Sequence, residues 1–273
     1  MVYLDYAANA PVDEEVLEVY YETSKKYFAN PNAEHKLGKE AKKLIDKATE
    51  NIAKTLRVLP EEIIYTSGAS ESNNLVIKGV AERYKEKGNH IIISELEHSS
   101  VVAPVNYLAN NGFDVTVIGL NSEGLVDIDA LKSAITDKTI LVSICSVDSE
   151  LGTIQPVEEI SKIVKEYPNC IFHTDATQAI GKVNIDFSNI DFITFAPHKF
   201  FGLNGFGALI NRNNIKINPI IHGVKSTTIY RSGTPAALAS VSWILIASTF
   251  SLIIISLSLD HLEYPLSFFC FVK

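Results

Sequence analysis

Ile63-Ile64-Tyr65-Thr66-Ser67-Gly68-Ala69-Ser70-Glu71-Ser72-Asn73-Asn74 opens on a short apolar run and passes through a Ser-Gly-Ala-Ser turn. The run reads as a buried strand, and a helix is expected to start near Glu71. The same alternation recurs downstream. Strands are expected at 90–94, 115–118, 140–147, 171–174, 192–195 and 207–210. Helices are expected at 99–110, 129–135 and 157–167. Upstream, residues 13–28 and 34–57 are charged with helical period, and Ala41, Leu44, Ile45, Ala48, Ile52 and Leu56 form one apolar face. Strands alternating with helices imply βαβ crossovers and a mostly parallel sheet covered on both faces, an α/β fold.

Composition fits a globular chain. Of 273 residues 47% are hydrophobic and 21% charged, which excludes a disordered or collagenous protein. The formal charge of −8 argues against a broad nucleic-acid footprint. Cys145, Cys170 and Cys270 are widely spaced, with neither a disulfide framework nor a zinc pattern, so no metal site is expected and a reducing, cytoplasmic setting fits. The N-terminus lacks the basic start and long apolar stretch of a signal peptide.

In open α/β sheets ligands bind beyond the carboxyl ends of the strands. Polar residues after each strand are therefore the candidates. Lys199, in Thr194-Phe195-Ala196-Pro197-His198-Lys199-Phe200-Phe201-Gly202, is either a solvated loop lysine or an amine made nucleophilic by apolar or cationic surroundings. Asp175 either caps the segment starting at Ala176 or pairs with a protonated ring nitrogen. Ser67 to Asn74 is either simple helix capping or an anion site, with Ser70 adding a hydroxyl. His98 is either a helix cap or a ring stacked on a flat ligand.

These stretches together resemble the class V, fold-type I pyridoxal-phosphate enzymes, most closely the NifS-type cysteine desulfurases. The matching segments are Tyr3 to Ala8 with Pro11, Asn30-Pro31 with His35 and Gly38, Thr66 to Asn74, and Glu97-His98. Glu150 to Gln155, His173 to Ala179, His198-Lys199, His222-Gly223 and Arg231 to Pro235 complete the set. The resemblance implies a large domain over 1–238 and pyridoxal 5'-phosphate as cofactor. Lys199 would hold it covalently, Asp175 would keep its ring nitrogen protonated, and His98 would stack on the ring and assist proton transfer. Gln178 would bond its phenolic oxygen. Ala69, Ser70 and His198 would bind its phosphate, and Thr234 would reach the phosphate of a second subunit in a homodimer. The implied reaction converts L-cysteine to L-alanine with sulfur passed to a protein thiol and on to an acceptor protein in iron–sulfur assembly. Selenocysteine lyase, aminotransferase and a non-catalytic cofactor-binding remnant are the alternatives.

The sequence departs from that pattern at several places. Asp148-Ser149 replaces Asn-Asn, so Ser149 stands where an asparagine usually helps hold the cofactor. Ala196 replaces a serine or threonine on the phosphate. A hydrogen bond lost to a charged group is worth about 1.5–3 kcal/mol, so weaker cofactor affinity is expected. Val224 replaces a glycine. The resemblance stops near residue 238, and the C-terminal small domain, with its catalytic cysteine, is not matched. The sequence over 239–273 is instead an apolar tail, charge-free from Val241 to Leu259. A truncation or frame change is expected over a membrane anchor or a short homologue with a buried terminal helix, and little sulfide release is expected from this chain.

Overall fold

The structure, a computed structural model, describes residues 2–234. The 239–273 tail, its charge-free stretch 241–259 and Cys270 lie outside the described residues.

A seven-stranded sheet organises the chain. It consists of β1 (Ile63–Thr66), β2 (His90–Ser94), β3 (Asp114–Ile118), β4 (Thr139–Ser143), β5 (Ile171–Asp175), β6 (Phe192–Phe195) and β7 (Gly207–Asn211). Their order is β1-β7-β6-β5-β4-β2-β3. All pairings are parallel except those of β7, which runs antiparallel to both β1 and β6. Two reversals cancel, so β1 points the same way as β6. The carboxyl ends of β1, β2, β4, β5 and β6 therefore share one edge.

Alternation along each strand divides the core into two layers. Ile64, Ile91, Ile93, Leu141, Phe192 and Leu209 pack against α3 (Ala69–Tyr84) and α4 (Ser99–Ala109), through Leu75, Val76, Val80, Val101 and Val105. Ile63, Ile92, Val142, Phe172, Ile193 and Phe195 face the other way. They share a cluster with Ile45 and Ile52 of α2 (Lys36–Leu56), Leu131 of α5 (Ile128–Ala134) and Ile160 and Ile163 of α6 (Val157–Val164). Helix α1 (Glu14–Lys26) adds Val16. The other six strands are buried along their whole length, as their apolar runs require, whereas the edge strand β3 is buried only at Ile118.

Local chemistry sets the helix starts. Asp13, His35, His98 and Asp127 cap α1, α2, α4 and α5 with side-chain acceptors. Helix α3 begins at Ala69, two residues before the expected start, and its N-cap, Gly68, supplies no side chain. The strand expected over 140–147 ends at Ser143. Cys145 is therefore not a strand residue, although it is buried. The Asn30-Pro31…His35…Gly38 motif is structural. A Cβ at Gly38 would lie 2.3 Å from the Ala33 carbonyl oxygen and 2.8 Å from that of Asn30. Val224 is 88% exposed and stands outside the positive-φ residues, so its β-branch meets no backbone strain.

Candidate active site

Five loops from the shared edge of the sheet line one cleft of about 760 Å³. After β1 come Ser67 to Glu71, and after β2 Leu96 and His98. After β4 come Cys145 and Val147 to Glu150, and after β5 Asp175, Thr177 and Gln178. His198 and Lys199 follow β6, and the N-terminal residues Leu4, Asp5, Ala7 and Ala8 close the wall. Ala69, Ser70, His98, Ser149, Asp175, Gln178, His198 and Lys199 thus meet in one place, as their positions after strands predict. Thr234 is exposed and does not line the cleft. Ala196 is fully buried behind it and offers no hydroxyl.

Lys199 ends a short 3-10 turn, Pro197–Lys199. Its amine donates to the carbonyls of Ala7 at 3.0 Å and Ala8 at 2.7 Å. Burial lowers its proton affinity, and the carboxylates of Asp175 and Asp5 partly restore it. Lys199 is thus half-buried, with its amine held by two backbone carbonyls. His198 is likewise held below the usual histidine range, by burial first and then by Lys199 and Lys182. The N-terminal strap is tied down by Ala10 N–H to the His198 carbonyl and Asp13 N–H to the Phe201 carbonyl, both 3.0 Å.

Asp175 is the last residue of β5 and is buried. One oxygen accepts from the Thr177 N–H at 3.0 Å and the other from Asn73 Nδ2 at 2.7 Å. Both readings of Asp175 thus survive: it organises the turn after β5, and it still lines the cleft. The same holds for His98, whose Nδ1 accepts from the Ser100 N–H at 3.1 Å as a cap while the residue lines the cleft. The Gln178 amide donates to the Ala7 carbonyl at 2.9 Å and accepts from Lys182. Beside the N-terminus of α3, Glu71 binds the Ser67 N–H at 2.8 Å and Arg231 Nε at 2.9 Å. Burial works against its charge, yet those hydrogen bonds hold its carboxyl below the ordinary range.

The two described cysteines are free and buried. Burial raises both thiols, Cys145 far above the ordinary range and Cys170 to about 12. Cys145 lines the cleft as a neutral thiol.

Residue reading missed Asn73, Ser100 and Glu97. Asn73 is fully buried although it lies on a helix, and Glu97 is buried beneath the His98 loop. Glu97 Oε1 accepts from Ser94 Oγ at 2.6 Å and the Cys145 N–H at 2.8 Å, and Oε2 has no hydrogen-bond partner among the described residues. Burial, with Asp175 and Asp148 nearby, raises this carboxyl to about 8. The available signal was a polar residue on the apolar face of a helix, which by itself names no partner.

The donor set fits pyridoxal 5'-phosphate. Helix α3 has no side-chain cap, so its first N–H groups are left to an anion. Gly207 keeps the floor beneath that turn clear, since a Cβ there would lie 2.5 Å from Gly68 Cα. A carboxylate with fixed hydrogen-bond donors and a half-buried amine complete the complement for a pyridine nitrogen and an aldehyde.

The Aminotransferase class-V family matches residues 2–254. The cysteine desulfurase IscS of Dictyoglomus turgidum is 46% identical over 235 residues, covering 85% of this chain and 59% of that protein. That of Ehrlichia chaffeensis is 44% identical over 245 residues, covering 87% and 59%. The chain thus spans about three-fifths of the length of these relatives. Among solved structures, a NifS-like protein superposes with a TM-score of 0.88 at 36% identity, over 94% of this chain and 70% of its own. SspA, solved in complex with cysteine, gives 0.86 at 37%, over 94% and 78%. With a family match over most of its length and relatives above 40% identity, the chain belongs to the class-V aminotransferase family.

Proposed function

We propose that this chain binds pyridoxal 5'-phosphate through Lys199 and handles L-cysteine in the manner of a cysteine desulfurase. The observation that carries the reading is the convergence of Lys199, Asp175 and the uncapped start of α3 on one cleft. When bound, the cofactor supplies a cationic aromatic ring that withdraws electrons from an attached amino acid.

The chain's own residues do the rest. The Ala69 and Ser70 N–H groups and the Ser70 hydroxyl would hold the phosphate, with His198 beside it. Asp175 would keep the ring nitrogen protonated. Lys199, with its proton affinity lowered by burial, is the attaching amine and afterwards a base for the substrate's α-proton. His98 would stack on the ring, and Gln178 would turn from the Ala7 carbonyl toward the phenolic oxygen. The sulfur-accepting thiol is neither Cys145 nor Cys170, because both are buried and protonated.

A homodimer with Thr234 serving the neighbouring site, a sulfur-acceptor protein and a cytoplasmic setting belong to the same proposal. The boundary near residue 238 also belongs to it. Among the described residues no helix is long and apolar enough to cross a membrane.

The test is borohydride reduction of the full chain loaded with cofactor, followed by peptide mass spectrometry. A single adduct on Lys199, lost in Lys199→Ala, is expected. An intact fold with no adduct on Lys199 overturns the reading.

A further inference from the structure

One buried amide joins the two halves of the cleft. Asn73 Nδ2 donates both of its hydrogens, to Asp175 Oδ2 at 2.7 Å and to Ser100 Oγ at 2.8 Å. Its orientation is forced, because a carboxylate accepts and never donates, so the nitrogen and not the oxygen must face Asp175. The opposite atom, Asn73 Oδ1, is buried without a hydrogen-bond partner among the described residues. An unpaired buried carbonyl is costly, and here it is the consequence of pointing the amide nitrogen at two acceptors.

The direction of the next bond follows. Ser100 Oγ accepts from Asn73, so its own hydrogen is free for His98 Nδ1, 2.8 Å away. Nδ1 also faces the Ser100 N–H at 3.1 Å, which can only donate. Two donors converge on Nδ1, so that nitrogen is unprotonated, and the neutral ring carries its proton on Nε2.

We propose that Asn73 is a positioning residue which, through Ser100, fixes the Nε2–H tautomer of His98 while it holds the Asp175 carboxylate in place. The two groups that the proposed function sets on the face and at the nitrogen of one flat ring are thereby oriented by a single side chain. The inference deepens that reading, but its geometric content concerns the protein alone and is measurable without cofactor.

The experiment uses the full chain, cofactor-free, with ¹⁵N-labelled histidine, and long-range ¹H–¹⁵N NMR at neutral pH. The His98 signal is assigned by its loss in His98→Gln. The unmodified chain is expected to show Nδ1 unprotonated and Nε2 protonated. Asn73→Leu and Ser100→Ala are each expected to raise the Nδ1–H to Nε2–H ratio by about 2- to 10-fold, the value of one hydrogen bond. Ser100→Thr, which keeps the hydroxyl, is expected to restore the original ratio. A merely structural role would leave the ratio unmoved. A protonated Nδ1 in the unmodified chain overturns the proposal, as does an unchanged ratio in Ser100→Ala. Should Asn73→Leu fail to fold, the Ser100 pair decides by the same signal. A chain that shows this tautomer pattern yet takes no adduct on Lys199 would sink the cofactor reading and leave this one standing.

Discussion

Glu97 shows how burial reverses the behaviour of a single carboxyl. Its folded form keeps its proton to about 8, against 4.5 for an ordinary glutamate. Below 4.5 both folded and unfolded chains are protonated. Between 4.5 and about 8 the unfolded chain releases the proton and the folded chain retains it, so stability falls as pH rises. Glu97→Gln keeps a carbonyl acceptor for Ser94 and the Cys145 N–H and removes the titration. Its thermal midpoint is expected to exceed that of the unmodified chain at pH 8, by the equivalent of a few kcal/mol, on the order of the linkage, and to converge with it near pH 4.5. Midpoints that run parallel at every pH would show that Glu97 is ionised in the fold. His173 acts with the opposite sign. Fully buried between Ser143 and Thr194, it is lowered by burial from 6.5 to about 4. The unfolded chain takes up a proton below 6.5 that the folded chain refuses, so this contribution is lost as pH falls from 6.5 toward 4. The two slopes oppose each other between 4.5 and 6.5, and above 6.5 only Glu97 remains.

The turn proposed to hold the phosphate depends on how closely two elements approach. Gly207 on β7 pairs with Thr66 on β1, and the chain after Thr66 folds directly over it. A Cβ on Gly207 would meet Gly68 Cα at 2.5 Å and Gly68 C at 2.6 Å, both backbone atoms. Nothing flexible can yield, so Gly207→Ala must shift either the strand or the start of α3. Overpacking of this kind costs about 1–3 kcal/mol. The expected result is weaker cofactor uptake, read as loss of the bound chromophore at a concentration that saturates the unmodified chain, with a modestly lowered thermal midpoint. Uptake equal to that of the unmodified chain would mean that the α3 start does not hold the phosphate.

At the scale of the molecule, the site is a property of one edge of the sheet. Elements from residue 4 to residue 199 contribute to the cleft, and the reversal at β7 aligns β1 with the parallel strands. What the described residues lack is an accessible thiol. With both described thiols buried, Cys145→Ser and Cys170→Ser are expected to leave the chain's sulfide release from L-cysteine unchanged. Parallel assays of sulfide and alanine check this. A strong release abolished by Cys145→Ser would show that the cleft thiol reacts despite its burial.

Much of this was legible in the residues. Strand–helix alternation announced a covered sheet, because apolar runs of strand length cannot face water on either side, and it failed only at the edge strand β3, where Asp114 and Val117 are exposed. Polar residues after strands named the cleft, because βαβ winding delivers those loops to one edge. The family resemblance then implied roles for Lys199, Asp175 and His98. The strand end at Ser143, the neutral Cys145, the protonated Glu97 and the bond from Asn73 to Asp175 were decided only by the fold. Burial and hydrogen-bond pairing depend on residues as far apart in sequence as 73 and 175, and no local pattern of side chains encodes which donor will face which acceptor.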